Sequence, residues 1–291
     1  MDQTDEALQQ AIAAVEKTGE RRITPSGEGS MTWHVFGTRD PVVFLHGGMG
    51  SWMHWIRNIP GLARDVSLLI PDMPGHMDSA MPTPYTPEAV GAILVEGIDK
   101  ILGPDRSYSV VGFSFGAAIA GQVARLGGSR VRSLVLVSPG GLGLRRGQIE
   151  GIERWRHLTD VAERRAVHRK NLGTTMISDA SHVDDLAVYI HAQSTERAKP
   201  VSAPISLGGS LQACLPQVKA RLAGIWGAQD PASSPYMPER IALLRGLQPD
   251  APIVVIDGAS HWVPYEATER FNAALLDILT PSLTGPSTPT P

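Results

Sequence analysis

Gly112-Phe113-Ser114-Phe115-Gly116 sets a serine between two glycines, directly after the apolar run Tyr108 to Phe113 and directly before the small-residue stretch Ala117 to Leu126. A strand that turns sharply into a helix holds such a serine at the tip of the turn, at strained backbone angles. Glycines on either side remove the Cβ atoms that would collide there. The first turn of the helix adds unpaired N–H groups aimed at the turn, a place to hold negative charge. The pattern alone is weak, since an ordinary helix N-cap serine satisfies it as well. Its context strengthens it.

A serine hydroxyl is a poor nucleophile until a base takes its proton. Among nine histidines, His261 is the candidate base, because Gly258-Ala259-Ser260-His261-Trp262 follows the last predicted strand and precedes the helical stretch Glu266 to Leu279. The base needs an acid to fix its tautomer and stabilise the imidazolium. Asp230, in Trp226-Gly227-Ala228-Gln229-Asp230-Pro231, lies just past the penultimate strand; an Asp–Pro turn starter is the plain alternative. The chain order Ser114, Asp230, His261 suits a triad on an open parallel sheet. His46-Gly47-Gly48-Met49-Gly50-Ser51 supplies the fourth part, an oxyanion hole. There the Gly48 N–H would act with the N–H of Phe115, the residue after the nucleophile. A phosphate loop is the rival reading of these glycines, but neither G-x-x-x-x-G-K-[ST] nor a spaced G-x-G-x-x-G is present. His46 reads as structural, holding the loop through its ring nitrogens. Met49, Trp52 and Trp262 are candidate walls of a substrate pocket with an apolar portion, although Trp52 and Trp55 equally suit simple packing of the first helix.

These loops need a scaffold that brings distant segments to one edge. Pro41 to Leu45, Val66 to Ile70, Tyr108 to Phe113, Val131 to Val137, Leu222 to Trp226 and Pro252 to Ile256 are short apolar runs. Each stops at Gly, Pro or polar residues and alternates with helical patterns. This predicts an α/β fold with a mostly parallel central sheet flanked by helices, its sites at the strand ends. The rhythm breaks after Val137, where helical windows at 147–157, 162–171 and 182–198 predict an inserted helical cap. The expected organisation is a core of residues 1–141 and 219–279, a cap over 142–218, and a disordered Pro/Ser/Thr-rich tail over 280–291. An amphipathic helix is expected over Asp5 to Glu16.

Composition narrows the function classes. A net charge of −3 offers no broad basic surface for nucleic acid, and 42% hydrophobic residues suffice for a large core. One cysteine, Cys214, cannot form an internal disulfide. No stretch reaches the roughly 18 apolar residues of a membrane span, and no apolar signal core is read at the N-terminus. The expectation is a soluble, cytoplasmic protein acting on a small molecule, with no metal or organic cofactor. The basic run Arg164-Arg165, His168-Arg169-Lys170 reads as a solvated helix face.

The four loops together resemble the α/β-hydrolase superfamily, in the branch with an HGG-type oxyanion loop and a helical cap. Pro71-Asp72-Met73-Pro74-Gly75-His76-Met77-Asp78-Ser79 is similar to the D-x-P-G-x-G-x-S loop of that branch, with Met77 where glycine is usual. A serine at 114, where dehalogenases and epoxide hydrolases carry Asp, implies a serine hydrolase acting on a carboxylic ester. Ser260-His261-Trp262-Val263-Pro264-Tyr265-Glu266 with Arg270-Phe271-Asn272 resembles the G-H-W…E…F-N segment of meta-cleavage-product hydrolases. That likeness implies, as an alternative, cleavage of a carbon–carbon bond in a 2-hydroxy-6-oxo-dienoate-like ketone. Ser260 replaces the usual glycine, and the family's cap arginine has no clear counterpart, with Arg154, Arg156 and Arg197 as possible stand-ins. A ligand receptor of the same fold with little turnover is the third reading.

Overall fold

The structure, a computed structural model, describes residues 3–199 and 202–280. The expected tail lies, from residue 281 onward, outside the described residues. Eight strands form one sheet: β1 (Glu20–Ser26), β2 (Gly29–Phe36), β3 (Pro41–Leu45), β4 (Ser67–Pro71), β5 (Tyr108–Phe113), β6 (Val131–Val137), β7 (Arg221–Gly227) and β8 (Ile253–Ile256). Their order is β1-β2-β4-β3-β5-β6-β7-β8. β1 and β2 pair antiparallel with each other, β2 pairs antiparallel with β4, and every later pairing is parallel.

Alternation explains why the central strands read as continuous apolar runs. Val42 and Phe44 of β3 face one core layer while Val43 and Leu45 face the other. Val135 and Val137 of β6 are split in the same way from Leu134 and Leu136. Each side chain points opposite to its neighbour, and helices cover both faces, so both registers must be apolar. The helices Pro87–Leu102 and Phe115–Gly127 supply Val90, Leu94, Ile98, Ile119 and Val123 to one layer. The helix Thr268–Leu279 supplies Phe271, Leu275 and Ile278 to the other.

β1 and β2 carry no such signal. β1 buries Thr24 and Ser26, and β2 buries Thr32 and His34 beside Met31 and Trp33. Polar residues are tolerated there because partners are at hand: Trp33 Nε1 donates to Thr24 Oγ1 at 2.8 Å, and the Thr32 N–H donates to Ser79 Oγ at 3.1 Å.

Between β6 and β7 the described residues carry helices at Val161–Thr175, Asp185–Arg197, Ala203–Leu207 and Ser210–Cys214. The first two match expected windows. The window at 147–157 does not: the chain there is irregular. Gly147 abuts the Pro231 carbonyl so closely that any Cβ would overlap it, and its N–H donates to Ala232 O at 3.1 Å. Gly151 sits at φ +81, outside helical space. Asn171 then fixes the run from the side, accepting from Glu153 N and donating to Glu153 O, both at 2.9 Å. The N-terminal helix spans Gln3–Glu16 and contacts the Asp185–Arg197 helix.

Candidate active site

The strand order reverses beside β3. The chain moves from β3 to β4 on one side, then returns to place β5 on the other. Loops leaving the carboxyl ends of β3 and β5 therefore diverge and leave a crevice, the usual ligand position in open parallel sheets. The His46–Ser51 loop leaves β3 and Ser114 leaves β5, with Leu45 and Gly112 in register. Asp230 follows β7 and His261 follows β8, so all four segments reach one sheet edge.

Ser114 has φ 53 and ψ −117, a conformation an L-residue adopts only under constraint. The constraint is visible on both sides. A Cβ on Gly112 would lie 2.6 Å from Ala117 Cα, and one on Gly116 would overlap the carbonyls of Leu45 and His46. The turn thus packs backbone against backbone. It is pinned by Ser114 N donating to Val137 O and Gly140 N donating to Ser114 O, each at 2.9 Å.

His261 lies between Ser114 and Asp230. Its Nε2 is 2.9 Å from Ser114 Oγ and its Nδ1 is 2.9 Å from Asp230 Oδ2. An ionised carboxylate only accepts, so Nδ1 carries the proton and the Nε2 lone pair faces the hydroxyl. Asp230 is fully buried while His261 keeps 12% of its side chain exposed. Burial alone would raise the Asp230 pKa. The charge and hydrogen bond of His261, with hydrogen bonds from Ser233 and Ala232, outweigh it and hold the carboxyl at about 2. The loops of Asp230 and His261 are zipped together, since Gln229 N donates to Ala259 O at 2.9 Å and a Cβ on Gly227 would overlap the carbonyls of Ala259 and Ser260.

The Gly48 and Phe115 backbone N–H groups meet no protein acceptor among the described residues. Their neighbours are strongly engaged. His46 donates from Nδ1 to Gly47 O at 2.8 Å and accepts at Nε2 from Met73 N at 3.0 Å. Both ring nitrogens are thereby occupied in joining the β3 and β4 loops. Burial keeps its pKa well below the ordinary value. Met77 adopts φ +49, which accounts for the glycine usual at that position.

Met49 borders a cavity of about 420 Å³ shared with Trp155, Thr175 and His191 of the insertion. Trp52 is 4% exposed and stacks on His34 with ring centres 4.5 Å apart. It edges a separate cavity, and the walls of neither cavity include a member of the Ser114–His261–Asp230 set. Trp262, 1% exposed, stacks on Tyr265 at 4.2 Å and donates from Nε1 to His54 O at 3.0 Å. Both tryptophans are buried within one apolar core layer.

Two residues escaped the sequence reading as site-builders. His54 accepts from Gly47 N at Nδ1 (3.2 Å) and packs beneath Gly50, where a Cβ would overlap its ring. Burial, reinforced by His191, His76 and His261, pushes it down to about 3. Glu266, with its side chain fully buried, accepts from Ser260 N at 2.6 Å through Oε2. Its Oε1 accepts from Ser178 N at 2.8 Å and Ser178 Oγ at 2.7 Å. This carboxylate ties the His261 loop to the insertion. Glu266 is the E of the G-H-W…E…F-N likeness, but its role shows only in the buried donors it pairs with, and no spacing marks His54. Among the described residues no group of three or more His, Cys, Asp or Glu is arranged to hold a metal ion, and no helix is long and apolar enough to cross a membrane.

The family model described as "Alpha/beta hydrolase family" matches residues 42–274. A 2-hydroxy-6-oxo-6-phenylhexa-2,4-dienoate hydrolase from Burkholderia cepacia is 27% identical over 91% of this chain and 97% of its own. Among solved structures, an esterase from Rhodococcus sp. ECU1013 superposes with TM-score 0.73 at 20% identity, covering 89% of this chain and 98% of that one. A meta-cleavage product hydrolase from Pseudomonas fluorescens IP01 gives TM-score 0.69 at 22% identity, covering 90% and 98%. At such identities the structural likeness speaks for the fold.

Proposed function

We propose that this chain, which belongs to the alpha/beta hydrolase family, is a serine hydrolase that cleaves a small or medium carboxylic ester through an acyl-enzyme. The observation that carries the reading is one imidazole bridging a strained serine and a buried carboxylate at 2.9 Å on each side. His261 Nε2 takes the proton as Ser114 Oγ attacks the carbonyl carbon, and Asp230 holds the resulting imidazolium. The Gly48 and Phe115 N–H groups receive the oxyanion, each contributing about 3 kcal/mol by comparison with donor deletions. His261 then protonates the leaving alcohol. In the second half it activates water against the acyl carbon, and Ser114 recovers its proton.

A C–C bond hydrolase using the same groups is the second reading, favoured by the likeness to the Burkholderia cepacia dienoate hydrolase over nearly the whole chain. Both readings place the nucleophile at Ser114. The test is turnover of a short p-nitrophenyl ester beside a 2-hydroxy-6-oxo-dienoate, with Ser114→Ala as control. Ester turnover lost by roughly 10⁵-fold or more in Ser114→Ala supports the reading. Equal turnover by wild type and variant sinks the nucleophile assignment, and turnover of the dienoate alone transfers the chain to the second reading.

A further inference from the structure

Ser202 opens the short helix Ala203–Leu207 of the insertion, yet its side chain does not cap that helix. Serine at such a position ordinarily turns its oxygen back on the helix N–H groups. Here the oxygen lies over the β3 loop instead. An ideal Cβ on Gly48 would sit 2.5 Å from Ser202 Oγ and 3.4 Å from Phe115 Cβ. The hydroxyl therefore sits against Gly48, one of the two residues whose N–H groups were assigned to the oxyanion. A side chain at 48 would have to displace the Ser202 hydroxyl.

The placement is fixed to the nucleophile by backbone hydrogen bonds. Gly140 N donates to Ser114 O at 2.9 Å, Gly141 N donates to Ser206 O at 2.7 Å, and Ser206 N donates to Ser202 O at 3.0 Å. Gly140 also lies against Ser206, where a Cβ would come within 3.2 Å of Cα. Relative to Ser114, Ser202 is thus held by three successive backbone bonds and a close glycine contact. A half-buried hydroxyl without a cap to make, held against Gly48, can turn its proton toward a negative oxygen received by the Gly48 N–H.

We propose that the Ser202 hydroxyl is a third oxyanion donor, supplied by the helical insertion to the pair from Gly48 and Phe115. The inference rests on the hydrolytic reading above and assigns a catalytic contact to a segment outside the sheet. It also gives the insertion a chemical role, because displacing Ser202 would weaken transition-state binding without touching the triad.

The test compares full-length wild type, Ser202→Ala and Ser202→Thr on an aryl ester and on its thionoester, whose sulfur accepts hydrogen bonds poorly. Fluorophosphonate labelling of Ser114 and thermal melting run in parallel. Ser202→Ala is expected to melt with wild type and to remain labelled at Ser114. Its kcat on the ester should fall roughly ten-fold with little change in KM, since only transition-state stabilisation is removed. The thionoester rate should fall much less, so the ester-to-thionoester ratio narrows, and Ser202→Thr should restore most of the loss. An unchanged kcat in Ser202→Ala, a loss confined to KM, or an equal loss on both substrates overturns the proposal while Ser114 labelling stands. Wild-type protein that is unlabelled at Ser114 fails the parent reading instead, and the third donor with it.

Discussion

Along the sheet edge, loops are fastened by buried, short, directional bonds: carboxylates of Asp230 and Glu266 accept two or more hydrogen bonds each, and His46 uses both ring nitrogens. On the outer face of the helical insertion the fastenings are charged and wet. Arg169 pairs with Asp185 while both side chains stay about half exposed, and Lys170 pairs with Glu153 in similar surroundings. The insertion's buried His168 has no hydrogen-bond partner at either nitrogen among the described residues and lies between Trp155 and His191. Directional buried bonds fix atoms to fractions of an ångström, whereas exposed ion pairs hold a helix in place without fixing a geometry. The chemistry belongs at the first kind of site, and the insertion reaches it through a few bonded points.

The strongest way to break this comparison is at the acid. Asp230→Asn keeps the shape but offers an amide where Nδ1–H needs a carboxylate, and kcat on the ester is expected to fall by ~10³- to 10⁴-fold. A loss smaller than about ten-fold, measured on folded protein, would place the orienting charge elsewhere and remove Asp230 from the relay.

Acid titration tests both regions together. His46, His54 and His76 at the sheet edge and His168 and His191 in the insertion all have lowered pKa values, burial being the largest cause in each. Unfolded, each would titrate near about 6.5. Below that pH the unfolded chain binds protons that the folded chain refuses. Their contribution is therefore complete above about 6.5 and is lost as pH falls toward the folded values, about 3 for His54 and His191 and about 4 for His168. Each histidine titrating only in the unfolded state costs about 1.4 kcal/mol per pH unit. Urea midpoints at about pH 7.5 and about pH 5 should differ by several kcal/mol in stability. His168→Phe should flatten the slope by one proton, as should His54→Asn. Midpoints independent of pH would mean these rings are charged or hydrated in the folded protein.

The smallest effect is expected at the insertion surface. Lys170→Ala removes an ion pair whose partners are 54% and 46% exposed, and should change stability by less than about 1 kcal/mol and leave kcat unaltered. A large kcat loss there would show that the outer ion pairs transmit geometry to Ser114.

The same contrast governs what the sequence made legible. β3 to β7 were readable because a doubly covered parallel strand must be apolar in both registers, and because Gly112, Gly116 and Gly227 sit where backbones touch. β8, an edge strand with Val255 exposed, was readable instead from its unbroken β-branched run. The order of Ser114, Asp230 and His261 followed from those strands. β1 and β2 were not readable, since they bury threonine, serine and histidine through partners remote in sequence. Residues 147–157 carried a helical pattern that the close contact at Gly147 and the positive φ of Gly151 overrule. The helices Ala203–Leu207 and Ser210–Cys214 are single turns, too short for periodicity to register and dependent on packing for their existence. Ser202 meets the β3 loop only through folding, and His54, although near Gly47 in sequence, is one histidine among nine, so no spacing rule marks either.

Glu266 carries one more lesson, for anyone who would transplant parts between relatives. Its two oxygens serve two masters, the backbone before His261 and the stretch at Ser178 and Asp179, while Trp262 N donates to Met176 O at 2.8 Å. A chimera that exchanges the insertion at the ends of β6 and β7 but alters residues 176–179 would strip the imidazole loop of its lateral support. The natural module for swapping is therefore the insertion together with the Ser260–Glu266 segment, although the two are far apart along the chain.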